Sequence, residues 1–227
     1  MRIVAVADTH LFERDLPPLP PGDVFVHAGD LCRRGDLEEL ERAAAWLRAL
    51  PYRHKIVVAG NHDWVFARQP AEARALLGPG VRYLEDRETS IDGLRFWGSP
   101  WQPAFGDWAF NLPRGAPLAE KWALIPAGID VLVTHAPPEG QGDRTSMAGR
   151  LGCRDLRERV AALQPRLHLF GHIHEDGGAW EEKGTLFVNA TTWECARGAT
   201  VVELKGKRRR ARAVEVPPAW PFDERPR

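Results

Sequence analysis

An α/β fold is what this chain predicts, and two features of the sequence carry that expectation. Short β-branched apolar runs alternate with amphipathic helical patterns along the whole length. The composition, 44% apolar and 27% charged over 227 residues, is that of a folded globular chain with enough length for a buried core.

Ile3-Val4-Ala5-Val6-Ala7 reads as a buried strand and Val24-Phe25-Val26-His27-Ala28 as a second. Between them Leu16-Pro17-Pro18-Leu19-Pro20-Pro21-Gly22 excludes both a helix and a central strand, and reads as a stiff surface connection. Asp36 opens a helix, with Glu39 as its capping-box partner and Leu37, Leu40, Leu47 and Leu50 on one face. Pro51 ends it. Lys55–Ala59 is the third strand, and a helix around Glu72–Leu77 stops at Gly78-Pro79-Gly80. Val81–Leu84 and Leu94–Trp97 read as further strands. From Gly98 to Gly115 the chain is aromatic and irregular. A strand at Asp130–Thr134, a helix at Asp155–Leu163 and a strand at Arg166–Phe170 repeat the first scheme, and Thr185–Asn189, Thr200–Leu204 and Arg212–Val216 close it with β structure. The basic run from Lys205 to Arg210 reads as a solvated hairpin tip, with Gly206 as its turn residue. Residues 1–216 are expected to form one domain, and Pro217–Arg227 a Pro-rich tail that frays.

Several function classes drop out. Lys+Arg 31 balances Asp+Glu 31, so long nucleic acid held by bulk electrostatics is not expected. No apolar run approaches the roughly 18 residues of a membrane span, and Ile3–Ala7 is too short for a signal-peptide core. Cys32, Cys153 and Cys195 form neither a disulfide framework nor a zinc spacing. The expected setting is reduced and cytoplasmic.

The informative residues sit where strands end. The five runs lead into Asp8-Thr9-His10, Gly29-Asp30, Gly60-Asn61-His62-Asp63, Thr134-His135 and Gly171-His172-Ile173-His174. In open α/β sheets ligand sites form beyond the carboxyl ends of strands, so these loops should converge on one rim. Five of the eight histidines lie there: His10, His62, His135, His172 and His174. Any one loop has a structural explanation, such as a tight turn with Asp63 as a helix cap. Together they would crowd carboxylates and imidazoles, an arrangement that calls for cations. Oxygen and nitrogen donors without cysteine suit Mn²⁺, Fe or Zn²⁺, and the number of donors fits two ions sharing one carboxylate. His27, His54 and His168 lie outside the loops and read as structural.

The ordered series resembles the calcineurin-like metallophosphoesterase superfamily. Ser99-Pro100-Trp101-Gln102-Pro103, Phe110-Asn111-Leu112-Pro113-Arg114-Gly115, Lys121-Trp122 and Phe187-Val188-Asn189-Ala190 are similar to its metallophosphoesterase-domain-containing subfamily, which includes phosphodiesterases. The resemblance implies a four-layer α/β/β/α sandwich with a dinuclear site at one end of its sheets. Carried onto this chain, Asp8, His10 and His174 hold one metal, while Asn61, His135 and His172 hold the other. Asp30 bridges the two. His62 contacts the scissile phosphate and protonates the leaving oxygen, and Asp63 orients His62. Asn61 and Arg34 are candidate substrate contacts. Arg34 comes from Gly29-Asp30-Leu31-Cys32-Arg33-Arg34-Gly35, which resembles a Gly-Asp-x-x-Asp-Arg-Gly stretch with Arg33 in the second Asp position.

The expected activity is hydrolysis of small phosphodiesters, cyclic nucleotides first, by attack of a metal-bridging hydroxide on phosphorus. Mn²⁺ is the cation most expected to support turnover. The alternatives are a phosphomonoesterase or protein phosphatase with the same centre, or a catalytically silent binding module. The expected partner is a small phosphodiester or nucleotide, with no membrane and no long nucleic acid. If an aromatic ring of the Gly98–Gly115 segment faces the cleft, it can stack on a nucleobase.

Overall fold

The computed structural model describes residues 1–205 and 211–218; the turn expected at 206–210 and the tail beyond 218 lie outside the described residues. In chain order the first half contains β1 (Arg2–Val6), β2 (Val24–His27), α1 (Leu37–Ala49), β3 (His54–Val57), α2 (Trp64–Arg68), α3 (Pro70–Leu77) and β4 (Arg82–Tyr83). Next come β5 (Arg87–Ile91), β6 (Leu94–Ser99), β7 (Gln102–Pro103), β8 (Asn111–Leu112) and α4 (Ala116–Ala123). The chain continues with β9 (Val131–Thr134), β10 (Arg144–Thr145), β11 (Gly149–Arg150), α5 (Arg154–Leu163) and β12 (Leu167–Phe170). A 3₁₀ turn (His174–Asp176), β13 (Gly178–Glu182), β14 (Thr185–Asn189), β15 (Thr200–Leu204) and β16 (Ala211–Glu215) complete the described part.

Two six-stranded mixed sheets result, in the orders β16-β15-β1-β2-β3-β4 and β13-β14-β12-β9-β6-β5. The period-2 alternation of β1 shows why they stack. Ile3, Ala5 and Ala7 enter the core between the sheets, along with Val131, Val133, Leu167 and Leu169 of the second sheet. Val4 and Val6 face the other way, onto Leu40, Ala44 and Leu47 of α1. On the far side Leu118 and Trp122 of α4 pack with Leu156 and Val160 of α5 over Leu132 and Phe187. The expected four layers are all present.

Several elements escape the sequence reading: the edge strands β5 and β13, the helices α2 and α4, and the two-residue strands β7, β8, β10 and β11. β5 (Arg-Glu-Thr-Ser-Ile) and β13 (Gly-Ala-Trp-Glu-Glu) are half-exposed edge strands without the apolar run that marks a buried one. α4 opens at Gly115, with Pro117 near its start. Asp36 caps α1 as expected, accepting the Glu39 N–H at 2.9 Å. The Glu39 carboxylate does not return to Asp36. It accepts the N–H groups of Arg33, Arg34 and Gly35 at 2.9, 2.7 and 3.0 Å, completing a turn instead of a capping box. At the end of the described chain the Pro217 and Pro218 carbonyls accept from the Arg197 guanidinium at 2.7 and 2.9 Å, so the tail begins tied down.

β1, β2 and β3 run parallel, as do β6, β9, β12 and β14. An isolated parallel bridge, Ala7 to Thr191, joins the end of β1 to the segment after β14. The carboxyl ends of both parallel sets therefore share one rim.

Candidate metal centre

The five strand-end loops are woven together by backbone. Asp8, His10 and Leu11 donate their N–H groups to the carbonyls of Gly29, Asp30 and Leu31 at 2.9, 3.1 and 3.0 Å. The Asp8 carboxylate accepts the His172 N–H at 3.0 Å, and Gly171 N–H reaches the His135 carbonyl at 2.9 Å. Asp8, His10, Leu11, Asp30 and His172 all have left-handed backbone, with φ between 45° and 71°. Such conformations cost energy in non-glycine residues and cluster at functional sites. The glycines leave room for close approach. A Cβ on Gly29 would lie 2.3 Å from His135 Nδ1, and one on Gly60 would lie 2.2 Å from Asp30 Oδ1.

Two sets of donors meet at Asp30. In the first, Asp8, His10 and His174 offer ligand atoms within 4.8 Å of one another; in the second, Asp30, His135 and His172 do the same. Asn61 Oδ1 joins the second set, 2.9 Å from both His135 Nε2 and His172 Nδ1. Asp30 Oδ2 stands 3.3 Å from His135 Nε2 and 3.7 Å from His10 Nε2, between the sets. The ring nitrogens behind are committed. His10 Nδ1 faces the Cys32 carbonyl at 3.0 Å, and His135 Nδ1 faces the Ala28 carbonyl at 2.9 Å. A carbonyl only accepts, so each Nδ1 carries hydrogen and Nε2 is the ring nitrogen left to face Asp30, where it can hold a proton or donate its lone pair to a cation. Two such nitrogens and a shared carboxylate on one buried rim are the donor types that bind a divalent cation. The donors present therefore fit divalent cations.

The titration behaviour points the same way. Burial raises the Asp8 and Asp30 carboxyls, but the imidazoles of His174 and His135 more than offset it and hold both acids well below the usual range. Burial lowers His135, yet Asp30 lifts it to about 9. Burial and the charge of His135 hold His172 down at about 3. Both buried carboxylates therefore stay ionised, and of the imidazoles beside them His135 is favoured in its charged form while His172 is held neutral.

His62 and Asp63 divide differently from the expectation. Asp63 does not touch His62. Its Oδ2 accepts the N–H groups of Asp30, Leu31 and Gly60 at 2.9, 3.3 and 2.8 Å, and its Oδ1 accepts that of Cys32 at 2.9 Å. Four buried donors in two loops outcompete one imidazole, so Asp63 staples the second loop to the third. It stands at the N-cap of α2 without a capping bond. Burial and the charge of Asp30 push its carboxyl up to about 6, partly offset by these N–H groups. His62 is oriented by a backbone carbonyl instead, through Nδ1 to Arg33 at 2.7 Å. Its ring meets His10 edge-on at 4.6 Å and lies against Trp108 at 4.2 Å. His62 also lies within ligand distance of His10 and Asp30.

Two cavities flank this rim. One, of about 570 Å³, is lined by Asp30, Asn61, His62, His172, Phe105 and Trp108 among others. Of the four aromatics in the irregular segment, Phe105 and Trp108 face it, with Phe105 lying 5.2 Å from the His172 ring. Trp101 and Phe110 pack against each other at 5.6 Å inside the fold. The Ala109 N–H bond to the Asn61 carbonyl, 3.1 Å, holds the segment against the third loop. The other cavity, of about 680 Å³, shares His62 and His174 and contains Arg34.

A sixth loop at the rim escapes the sequence reading. Thr192 Oγ1 donates to the Ala7 carbonyl at 2.8 Å, Glu194 N–H reaches the Asp8 carbonyl at 3.0 Å, and Trp193, Glu194 and Cys195 are all left-handed. Thr191-Thr192 follows a buried strand, the same signal that marks the other five. His27 and His168 are structural as expected. Each is fully buried, with Nε2 2.9 Å from Thr9 and Thr134 Oγ1 respectively, and burial holds both near pKa 3.

Residues 1–176 match the family model for calcineurin-like phosphoesterase. The chain is 42% identical over 215 residues to human metallophosphoesterase domain-containing protein 1, covering 84% of this chain and 65% of that protein. It thus spans just under two thirds of that relative's length. A UPF0046 protein of Caenorhabditis elegans is 38% identical over 210 residues, covering 84% and 74% of the two chains. Among solved structures, the protein TT1561 of Thermus thermophilus shares the fold with a TM-score of 0.65 at 14% identity, covering 94% of this chain and 97% of that one. With a family match over most of its length and the donor geometry of its rim, this chain belongs to the calcineurin-like phosphoesterase family.

Proposed function

We propose that the protein is a metal-dependent phosphodiesterase acting on small phosphodiesters, cyclic nucleotides among them. The observation that carries this reading is the aromatic wall of Phe105 and Trp108 on the cavity that contains Asp30, Asn61 and His172. A phosphodiester has one negative charge where a monoester has two, so it gains less from cations and more from contacts to its organic substituents. An aromatic wall supplies such contacts, worth about 1–3 kcal/mol per stacked base.

In this reading Asp8, His10 and His174 hold one cation and Asn61, His135 and His172 the other, with Asp30 shared. Mn²⁺, Fe or Zn²⁺ bound there would acidify water and neutralise phosphoryl oxygens. The chain's own residues do the rest. Ala28 and Cys32 carbonyls fix the tautomers of His135 and His10. Asp63 holds the two loops that carry Asp30 and Asn61. His62 keeps its Nδ1 hydrogen on the Arg33 carbonyl, leaving Nε2 to take up a proton and deliver it to the departing alkoxide. Arg34 contributes positive charge from the neighbouring cavity. Residues 1–216 act as one domain, and the enzyme works in the cytoplasm, where free Cys32, Cys153 and Cys195 remain thiols.

The test is kcat/KM for 2′,3′- and 3′,5′-cyclic AMP and bis-p-nitrophenyl phosphate against AMP and p-nitrophenyl phosphate, with Mn²⁺, Zn²⁺ and Fe. Diesters should be preferred. His62→Ala should retain metal and lose about 10²–10⁴-fold in rate, with a smaller loss on good leaving groups. A consistent preference for monoesters would replace this reading with a phosphomonoesterase. Metal binding without any hydrolysis would replace it with a binding module.

A further inference from the structure

The cavity of about 680 Å³ differs in character from its aromatic neighbour. Arg33, Arg34 and Arg42 line it, and all three are exposed. Among the described residues none of the three guanidiniums forms an ion pair or a side-chain hydrogen bond. Two carboxylates share the lining, Glu39 and Glu194. Glu39 is occupied by the N–H groups of Arg33, Arg34 and Gly35. Both carboxylates keep their charge, so three unpaired guanidiniums outnumber them by one in this cavity, in a chain whose charges otherwise balance at 31 and 31. That local excess is the field an anion would complete.

Of these arginines Arg33 is also held in place. The Arg33 guanidinium lies over the Phe12 ring, 5.1 Å from its centroid, and its carbonyl accepts from His62 Nδ1 at 2.7 Å. Arg42 projects from α1 one turn beyond Glu39, the residue that closes the Arg33–Arg34 turn. Less side-chain entropy is lost when a positioned guanidinium binds, and its planar fork matches the oxygens of a phosphate. His62 and His174 line both cavities, so a ligand spanning them crosses the metal-ligating rim.

We infer that Arg33 and Arg42 form a subsite for a second phosphate of the substrate, outside the scissile ester. The substrate class is a linear phosphodiester with a nucleobase on one arm, against Phe105 and Trp108, and a phosphate on the other. The substrate class rests on the diesterase reading above; the phosphate subsite does not.

Equilibrium binding to the metal-loaded protein separates the two. Adenylyl-adenosine with a non-hydrolysable methylenephosphonate internal link is compared with its 5′-phosphorylated and 3′-phosphorylated forms by calorimetry at fixed ionic strength. At least one phosphorylated form should bind about tenfold more tightly or better, the effect of one added charge-assisted contact. In the Arg33→Ala/Arg42→Ala variant that ratio should fall toward one. In Arg42→Glu it should fall at least as far. Failure of both phosphorylated forms to bind more tightly than the unphosphorylated one overturns the inference, as does a preference that survives in both variants. The diesterase reading fails by a different signal, read on the phosphorylated dinucleotides with their natural internal ester: inorganic phosphate released with no mononucleotide from that ester.

Discussion

Replacing Gly60 by alanine isolates the geometry on which the whole site depends. Gly60 is not in the left-handed region, so alanine brings no backbone strain there, only a methyl group. That Cβ would lie 2.2 Å from Asp30 Oδ1, 2.5 Å from the Asp30 backbone nitrogen and 2.7 Å from His135 Cε1. Ordinary contact requires about 3.5 Å or more between heavy atoms. Asp30 would have to retreat by roughly 1 Å, against the Asp63 bond that holds its N–H at 2.9 Å. Overpacking of this kind costs about 1–3 kcal/mol in stability. Metal coordination tolerates deviations of only about 0.2 Å, and a misplacement near 1 Å costs on the order of 10² in rate. Gly60→Ala should therefore bind fewer than two metals per chain and lose about 10²-fold or more in hydrolysis, while still folding. Elemental analysis, a urea titration and a bis-p-nitrophenyl phosphate assay measure all three. Gly80→Ala is the control, since nothing lies within 4 Å of its Cβ position. Two metals per chain and near-normal rates in Gly60→Ala would refute the argument that this close approach builds the site.

Three further outcomes are expected. Asp63→Ala leaves four buried N–H groups without their acceptor, at about 1–3 kcal/mol each, so its unfolding midpoint should fall sharply; normal stability with only a slower rate would return Asp63 to the role of orienting His62. Burial depresses His168 to about 3, so between that value and 6.5 the unfolded chain binds the extra proton and the folded state loses stability as pH falls. From pH 7 to pH 5 that loss is about 2 kcal/mol, and His168→Gln should flatten the pH dependence of the unfolding free energy from urea titrations by that amount; equal slopes in both proteins would exclude it. Trp108→Ala removes the ring that lies 4.2 Å from His62, and should raise KM for nucleotide diesters more than for bis-p-nitrophenyl phosphate. Equal changes for both substrates would mean that Trp108 supports His62 without touching a base.

Much of the site was legible because strand periodicity and loop chemistry are local. Val6-Ala7-Asp8 and Phe170-Gly171-His172 each show an apolar run giving way to a metal-type donor, and the order of five such junctions needs no tertiary information. The same rule applied once more, at Asn189-Ala190-Thr191-Thr192, would have found the sixth loop. The edge strands Arg87–Ile91 and Gly178–Glu182 were not legible, since one face of each meets solvent and the sequence carries no apolar run. Asp63 shows a different obstacle. Its neighbour in sequence is His62, but its partners are amides up to 33 residues away, brought to it by two parallel strands.

The sequence alone determined the two α/β halves, the rim at which their strands end, and the donor types that make it a place for cations. These follow from side-chain period and residue chemistry, which each segment carries with it. The tertiary structure decided that Asp30 stands between the two donor sets, which histidine nitrogens face backbone carbonyls, and which aromatic rings face the cleft. It also decided that Arg33 and Arg42, from a turn and a helix, line the same cavity. Those outcomes depend on how two sheets stack and which loops they bring within hydrogen-bond reach. That is a sum of long-range contacts no single segment contains.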